Sequence, residues 1–559
     1  MSLDAWIEEQ RTAFDVPGLA VSVIQDGKTV LSQGFGLRDV EKNLPVTPDT
    51  GFAIASVTKA FTAAGVGALV DDGLIEWDTP VREYLADFQM HDHVATECMT
   101  ARDLLCHRSG LPRHDLVWYG NTSLTRAEVV SKLRHLEPNK SFRSTWQYNN
   151  LMFVTAGRLC EVMSGKSWED LIRERIFARA GMDSSSFSQT ERSDVALPYE
   201  LRKDAVVRVP YQSAPDVCGP AGSIYSTLTD LTAWMRVNLD KGKLGDTEVL
   251  SSNTIRQMHA PQMVMPEDTL FPESYNSAYG LGWFIGTHRG RKNVHHGGNI
   301  DGFTSLVTML PNEGIGVVIL SNKGGTFLRE ALSAHVFDEL LGLEPLPWAE
   351  RYLDLERTIR AGAKEAKARA ERVEGTSPSH PLEEYAGSYE HPAYGTIAIE
   401  VAEGRLQPRF REMNISLAHR HFDVFDVEID IIEDAQIPAT FATAADGSVA
   451  SLSIPLEGSV DPIVFTRVAE PMPAPETCER FAGTYAMGPI ELVVAFTAPD
   501  KLTGTVIGQG TFKLLPDKGL RFKVDGAPGA TIEFVLDADG PAQEVVVQPM
   551  GVLKRKTDV

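Results

Sequence analysis

Ser56 and Lys59, within Phe52-Ala53-Ile54-Ala55-Ser56-Val57-Thr58-Lys59, are the side chains whose types and spacing point most directly to chemistry. A serine hydroxyl is a poor nucleophile at its own pKa and needs an adjacent base. Residues three apart on a helix share a face, about one turn from each other. A helix start favours an alkoxide-like serine and a discharged amine. For Lys59 to act as base near neutral pH, its pKa has to drop from about 10.4 to near 7, roughly 4 kcal/mol of ammonium destabilisation. Burial on an apolar helix can supply this. Ser56 is the only serine in the chain with lysine three positions on. The pair alone is a weak signal, and an ordinary capping serine beside a solvated lysine is the competing reading.

Two further motifs fit the same chemistry. Trp146-Gln147-Tyr148-Asn149-Asn150-Leu151 places a Tyr-x-Asn at the opening of an apolar helix. Tyr148 could relay a proton between Ser56 and a leaving group, and Asn150 could donate to Lys59 or to a substrate carbonyl. Tyr119-Gly120-Asn121 has the same pattern, but in a polar loop. The third motif is His296-Gly297-Gly298-Asn299. Glycine there lets a substrate approach the backbone, and a neighbouring N–H can face an oxyanion. His288-Arg289-Gly290 and the His295 register compete with it; the distance to Gly302-Phe303 favours His296.

The elements that must position these groups follow from periodicity. Ala60 to Val70 is small, apolar and free of proline, so it reads as a largely buried helix ending near Gly73. Leu19–Gln25 and Thr29–Gly36 around Asp26-Gly27 form a strong hairpin signal. A helical middle follows, roughly 124–179, interrupted between Pro138 and Tyr148, with a further capped helix from Leu228 to Leu239. Tyr279–Ile285, Asn293–His296, Phe303–Leu310 and Gly316–Leu320 read as strands, and Thr326–Leu341 as a closing helix. These imply one α/β (α+β) domain over residues 1–350 with a central antiparallel sheet built from both ends of the segment. Residues 351–380 read as a helical linker, solvated over Leu355–Val373. Beyond it, Glu383-Glu384-Tyr385-Ala386-Gly387-Ser388-Tyr389 matches Glu479-Arg480-Phe481-Ala482-Gly483-Thr484-Tyr485. Each copy opens a run of short strands, which implies two all-β antiparallel barrels, 381–470 and 476–559.

Composition bounds the function. The chain has 559 residues and a net charge of −23, which argues against nucleic acid and anionic membranes as partners. The N-terminus reads as an amphipathic helix and not as a signal peptide. Five scattered cysteines (Cys98, Cys106, Cys160, Cys218, Cys478) read as reduced packing residues, consistent with a cytoplasmic protein. His91-Asp92-His93 and His419-Arg420-His421 lack a third ligand nearby, so neither metal nor other cofactor is expected. Gly-x-Ser-x-Gly is absent. Exposed barrel edges make a homodimer plausible.

Ser-x-x-Lys, Tyr-x-Asn and His-x-Gly in this order resemble the serine β-lactamase and penicillin-binding protein superfamily, specifically its class C, esterase and D-aminopeptidase branch. The resemblance covers Ala5 to about Leu346, including His107-Arg108-Ser109-Gly110-Leu111-Pro112 and Phe177-Ala178-Arg179-Ala180-Gly181-Met182. It implies that Ser56 is acylated, with Lys59 and Tyr148 as the base pair. Asn150 would position Lys59 and the substrate, and the N–H groups of Ser56 and Asn299, beside Gly298, would form the oxyanion hole. His296 stands where β-lactamases carry lysine. A mostly neutral histidine weakens the demand for a substrate carboxylate. The resemblance therefore favours a D-stereospecific aminopeptidase or amidase acting on small amides or peptides, with a carboxylesterase next and a silent barrel-based scaffold last. In the D-aminopeptidases a barrel loop recognises the substrate amine; no motif locates it here, and Asp301 is the nearest local candidate for an ammonium.

Overall fold

The computed structural model describes residues 1–559 except 212–215, 369–371, 430–431, 446, 499–500, 528, 538–539 and 557–559. It divides into two compact units, Met1–Ala370 and Glu371–Val559.

The first unit is built on a nine-stranded antiparallel sheet with helices packed against it. Strand Gly18–Gln25 pairs on one side with Lys28–Asp39, closing the expected hairpin, and on the other with Ile315–Ser321. The sheet is thus joined from both ends of the unit. It continues through Phe303–Leu310, Arg291–Ile300, Phe284–His288, Ser274–Tyr279 and Met263–Phe271. The span read as one strand, Tyr279–Ile285, is two. Gly282, at φ +75°, turns the chain between them, and its position against the Lys59 carbonyl leaves no room for a side chain. The Met263–Phe271 strand lies outside the expected set. Its outward Val264 and Leu270 and its proline break the alternation that marks a strand in sequence.

Helix Thr58–Asp71 runs through the helical half with twelve of its fourteen residues buried. A helix apolar all round belongs in a core, not on a surface. A Cβ on Gly65 would meet Ile172 at 2.8 Å, and one on Gly67 would meet Thr254 at 2.4 Å. Each helical glycine costs about 1 kcal/mol relative to alanine, a loss offset here by the close approach of neighbouring elements. Asn150–Ser164 packs beside it, its start capped by the Asn149 side chain, which accepts from Met152 N–H. Leu228–Leu239 forms as expected, capped by Thr227.

The helix expected as a linker begins inside the first unit. It spans Trp348–Ala368, with Trp348 and Tyr352 in the same apolar core as Ile7, Leu19 and Phe337. Two aromatics at a spacing of four make one buried stripe, which the charged composition further along conceals. Residues 369–371 of the Leu355–Val373 reading lie outside the described ones.

The second unit holds two eight-stranded antiparallel sheets. Gly387–Arg467 forms a nearly closed one, and Gly483–Arg555 closes into a barrel. The matching segments occupy matching places. A short helix precedes each opening strand, the Tyr389 hydroxyl donates to Tyr385 O and the Tyr485 hydroxyl to Phe481 O, both at 2.8 Å. Arg467 and Arg555, each in the last strand of its sheet, donate to the carbonyls of Ala386 and Ala482. Four of the cysteines are buried as expected; Cys98, at the end of a short helix, is exposed. Among the described residues no helix is long and apolar enough to cross a membrane, and no three His, Cys, Asp or Glu side chains are grouped to hold a metal.

Candidate active site

Ser56 lies in a 3₁₀ turn, Ala55–Val57, that runs directly into helix Thr58–Asp71, one turn earlier than the α-helical start expected for it. The turn is held from two sides. Ile54 N–H donates to Ile224 O at 2.9 Å, and the Ser305 hydroxyl donates to Ile54 O at 2.7 Å. Ala55 has φ +47°, a left-handed conformation that costs a non-glycine residue about 1–2 kcal/mol. Such strain persists where the surroundings over-determine it, most often at functional sites. Gly298 explains part of that constraint: a Cβ there would sit 2.1 Å from Ile54 O and 3.0 Å from the Ala55 Cβ. The glycine is needed for the strand to lie against the serine turn.

Lys59 is fully buried, and its Nζ contacts Ser56 Oγ at 3.0 Å and Ala221 O at 2.8 Å. Burial, aided by the Arg113 guanidinium and opposed by Cys218 and Asp115, brings its pKa down from 10.5 to about 7. Among the described residues no carboxylate touches it. As a neutral amine it keeps a donor for Ala221 O and turns its lone pair to the Ser56 hydroxyl.

Tyr148 hydrogen-bonds Ser56 and lies under Lys59, whose Nζ is 4.8 Å from the ring centroid. Burial pushes its phenol well above the usual value, against the lowering pull of Ser56 and Arg113. Tyr148 is therefore protonated at rest. Beneath it, 4.3 Å between ring centroids, is His107. The His107 Nδ1 accepts from Asn149 N–H at 3.0 Å, so the ring is neutral, and burial holds its pKa well below 6.5. The histidine belongs to the His107–Pro112 segment, to which sequence reading attached no role.

His296 is buried, with Nδ1 2.7 Å from Gly297 O and Nε2 2.8 Å from the Tyr279 hydroxyl. Nδ1–H donates to the Gly297 carbonyl, so Nε2 accepts from the Tyr279 hydroxyl. Burial, with Lys59 nearby, keeps this ring neutral too. The motif supplies no cation at the position where a substrate carboxylate would be held.

Asn150 differs from its expected role. Its Nδ2 donates to Asp115 Oδ1 at 2.8 Å instead of holding Lys59. Asp115 also receives Arg113 at 2.7 Å and Trp118 at 3.0 Å. The lysine's second partner comes from Ala221, in a short helix 162 residues further along. The competing Tyr119-Gly120-Asn121 is not on the nucleophile: the Tyr119 hydroxyl donates to Asp301 Oδ1 at 3.2 Å. Arg329, also unexpected, clamps the motif strand by donating to Gly298 O, and to Ser305 O at 3.0 Å.

Two cavities open on Ser56, of about 420 Å³ and about 360 Å³. Tyr148, His296 and Phe284 line the larger; Asn150, Ala221, Tyr119, Glu200 and Asp301 line the smaller. Ser56, Arg113 and Asn299 belong to both.

A buried lysine on a serine, a protonated tyrosine beside them and a glycine-bearing strand alongside define a serine hydrolase of the β-lactamase fold. The comparisons agree. The β-lactamase family model matches residues 3–340, and a domain of unknown function (DUF3471) matches 371–467. The chain belongs to the β-lactamase family. It is 30% identical over 493 residues to an unguisins hydrolase of Aspergillus campestris, covering 82% of this chain and 88% of that one. The octameric penicillin-binding protein homologue of Pyrococcus abyssi superposes with a TM-score of 0.55 at 24% identity, over 83% of this chain and 99% of that one. The D-amino acid amidase of Ochrobactrum anthropi, complexed with D-phenylalanine, superposes with a TM-score of 0.52 at 25% identity, over 61% of this chain and 99% of that one.

Proposed function

We propose that the protein is a D-stereospecific aminopeptidase or amidase that cleaves small amides or peptides through an acyl-Ser56 intermediate. The observation that carries this reading is the neutral Lys59–Ser56 pair facing a His296 that offers no charge to a substrate carboxylate. Likeness to a D-amino acid amidase supports amide chemistry, and likeness to an unguisins hydrolase supports hydrolysis.

In this mechanism Lys59 takes the Ser56 proton as Oγ attacks the carbonyl carbon. The Ser56 and Asn299 N–H groups face the oxyanion; each such donor is worth about 10²- to 10³-fold in rate. The Tyr148 hydroxyl passes a proton to the leaving nitrogen, and Lys59 restores it. Water then attacks the acyl-Ser56 ester by the same route in reverse.

The test is turnover of D-Ala-p-nitroanilide, L-Ala-p-nitroanilide and p-nitrophenyl acetate by the wild-type chain and by Ser56→Ala. Preference for the D-anilide, abolished in Ser56→Ala, is the expected result. Turnover of the acetate ester with neither anilide cleaved gives the carboxylesterase instead, which needs the same groups but a better leaving group. Absence of fluorophosphonate labelling at Ser56 would remove both enzyme readings in favour of a silent scaffold.

A further inference from the structure

The two cavities on Ser56 have different chemistry, and the tyrosine decides which part of a substrate enters each. Tyr148 protonates the leaving group and lines only the larger cavity. The leaving group therefore departs into that cavity, and the acyl group occupies the smaller one.

The acyl cavity is acidic. Its charged side chains are Asp115, Glu200, Asp301 and Arg113. Asp115 is consumed by Arg113, Asn150 and Trp118. With three carboxylates against one guanidinium in its lining, the wall is net negative.

These two come from separate elements that glycines bring together. Asp301, at φ +25°, and Gly302, at φ +81°, form the turn after the motif strand. A Cβ on Gly302 would lie 2.7 Å from Pro198 and from Tyr199 N. A Cβ on Gly324 would lie 3.2 Å from the Gly302 Cα and 3.3 Å from the Glu200 Cγ. Tyr199 N–H reaches Asn322 O at 3.1 Å, and Gly324 N–H reaches Tyr199 O at 2.9 Å, so the Glu200 strand is fastened against the Asp301 turn.

Tyr119 sits between the carboxylates, its hydroxyl donating to Asp301. Burial, Asp301 and Glu200 together push its phenol well above the usual range, so it remains a donor and positions Asp301. Glu200 pairs with Arg202 at 3.2 Å, both side chains being partly exposed. A partly exposed pair of this kind is weak and yields readily to a substrate cation.

We propose that Asp301 and Glu200 form the subsite for the free α-ammonium of the acyl residue, making the first unit itself selective for amines. This deepens the aminopeptidase reading and rests on it. An ammonium entering this wall gains charge-assisted hydrogen bonds in a cleft shared with the nucleophile, which orients the carbonyl toward Ser56.

The experiment compares kcat/KM for D-Ala-p-nitroanilide and its N-acetyl derivative in the wild-type chain, Asp301→Asn and Glu200→Gln. Fluorophosphonate labelling of Ser56 establishes that each variant is folded. The free-amine to acetyl ratio is expected to fall about 10- to 100-fold in Asp301→Asn, mainly through KM, from losing a hydrogen bond to a charged group, and less in Glu200→Gln. A wild-type preference for the free amine, with the ratio unchanged in both variants, overturns the subsite and leaves the aminopeptidase reading standing. A wild-type preference for the acetylated substrate overturns that reading and the subsite with it.

Discussion

Two lysines of the first unit are buried to the same degree and do opposite work. Lys59 has 0% of its surface exposed and Lys323 has 2%. Burial lowers the pKa of both. Lys323 donates to Phe14 O at 2.6 Å and has Glu356 at 3.7 Å, a carboxylate that raises its pKa against the burial. Among the described residues Lys59 has only a hydroxyl and a carbonyl as hydrogen-bond partners. A buried cation with its counter-charge joins a helix to a sheet end. A buried amine without one fits the base of the proposed mechanism. Partner chemistry, more than depth, separates structure from catalysis in this unit.

The comparison is tested first at its extremes. Lys59→Met should lower kcat/KM on the anilide by about 10²- to 10⁴-fold, the range for a positioned base, whereas Lys323→Met should change it by less than about threefold, since surroundings and not chemistry are altered. Equal losses in the two variants would break the distinction. Tyr148→Phe should cost about 10²-fold on the anilide, at the low end for proton transfer to a poor leaving group. It should cost less on p-nitrophenyl acetate, whose leaving group needs no proton.

The pH dependence follows from sign. Lys59 acts when neutral, so kcat/KM should fall about tenfold per pH unit below its pKa of about 7 and level off above it. Between pH 7 and about 10 the unfolded chain carries a proton on this lysine that the folded chain lacks. Its destabilising contribution therefore fades as pH rises through that window. In Lys59→Met both the acid limb and this slope should disappear. A limb that persists belongs to another group.

Stability gives the smallest effects, of opposite sign. Lys59→Met should raise unfolding free energy at pH 7 by about 1–3 kcal/mol: the ammonium desolvation is relieved while Ala221 O loses a donor. Lys323→Met should lower it by about 1–3 kcal/mol, leaving Glu356 and Phe14 O short of a partner. Denaturant midpoints read both. A destabilised Lys59→Met would mean its hydrogen bonds outweigh its desolvation.

Much of the site was legible before any coordinates because its signals are local. Ser56 and Lys59 meet through helix geometry, Tyr148 opens an apolar helix, and a period-two pattern places His296 on a strand. The hairpin at Asp26-Gly27 and the duplicated barrel openings are equally local. The Asn150–Asp115 bond was not legible because the spacing to Tyr148 says nothing about Asp115, which arrives on a different loop. Trp348 and Tyr352 were missed as core because the charged helix after them hid a two-residue stripe.

The order of amino acids by itself determined the reagents: a serine with its lysine, a tyrosine, a glycine-lined strand, and an acidic chain. Tertiary structure decided what they can do. Desolvation and charge depend on atoms distant along the chain, so only folding could show Ala221 completing the lysine, His107 lying under the tyrosine, and Glu200 brought beside Asp301.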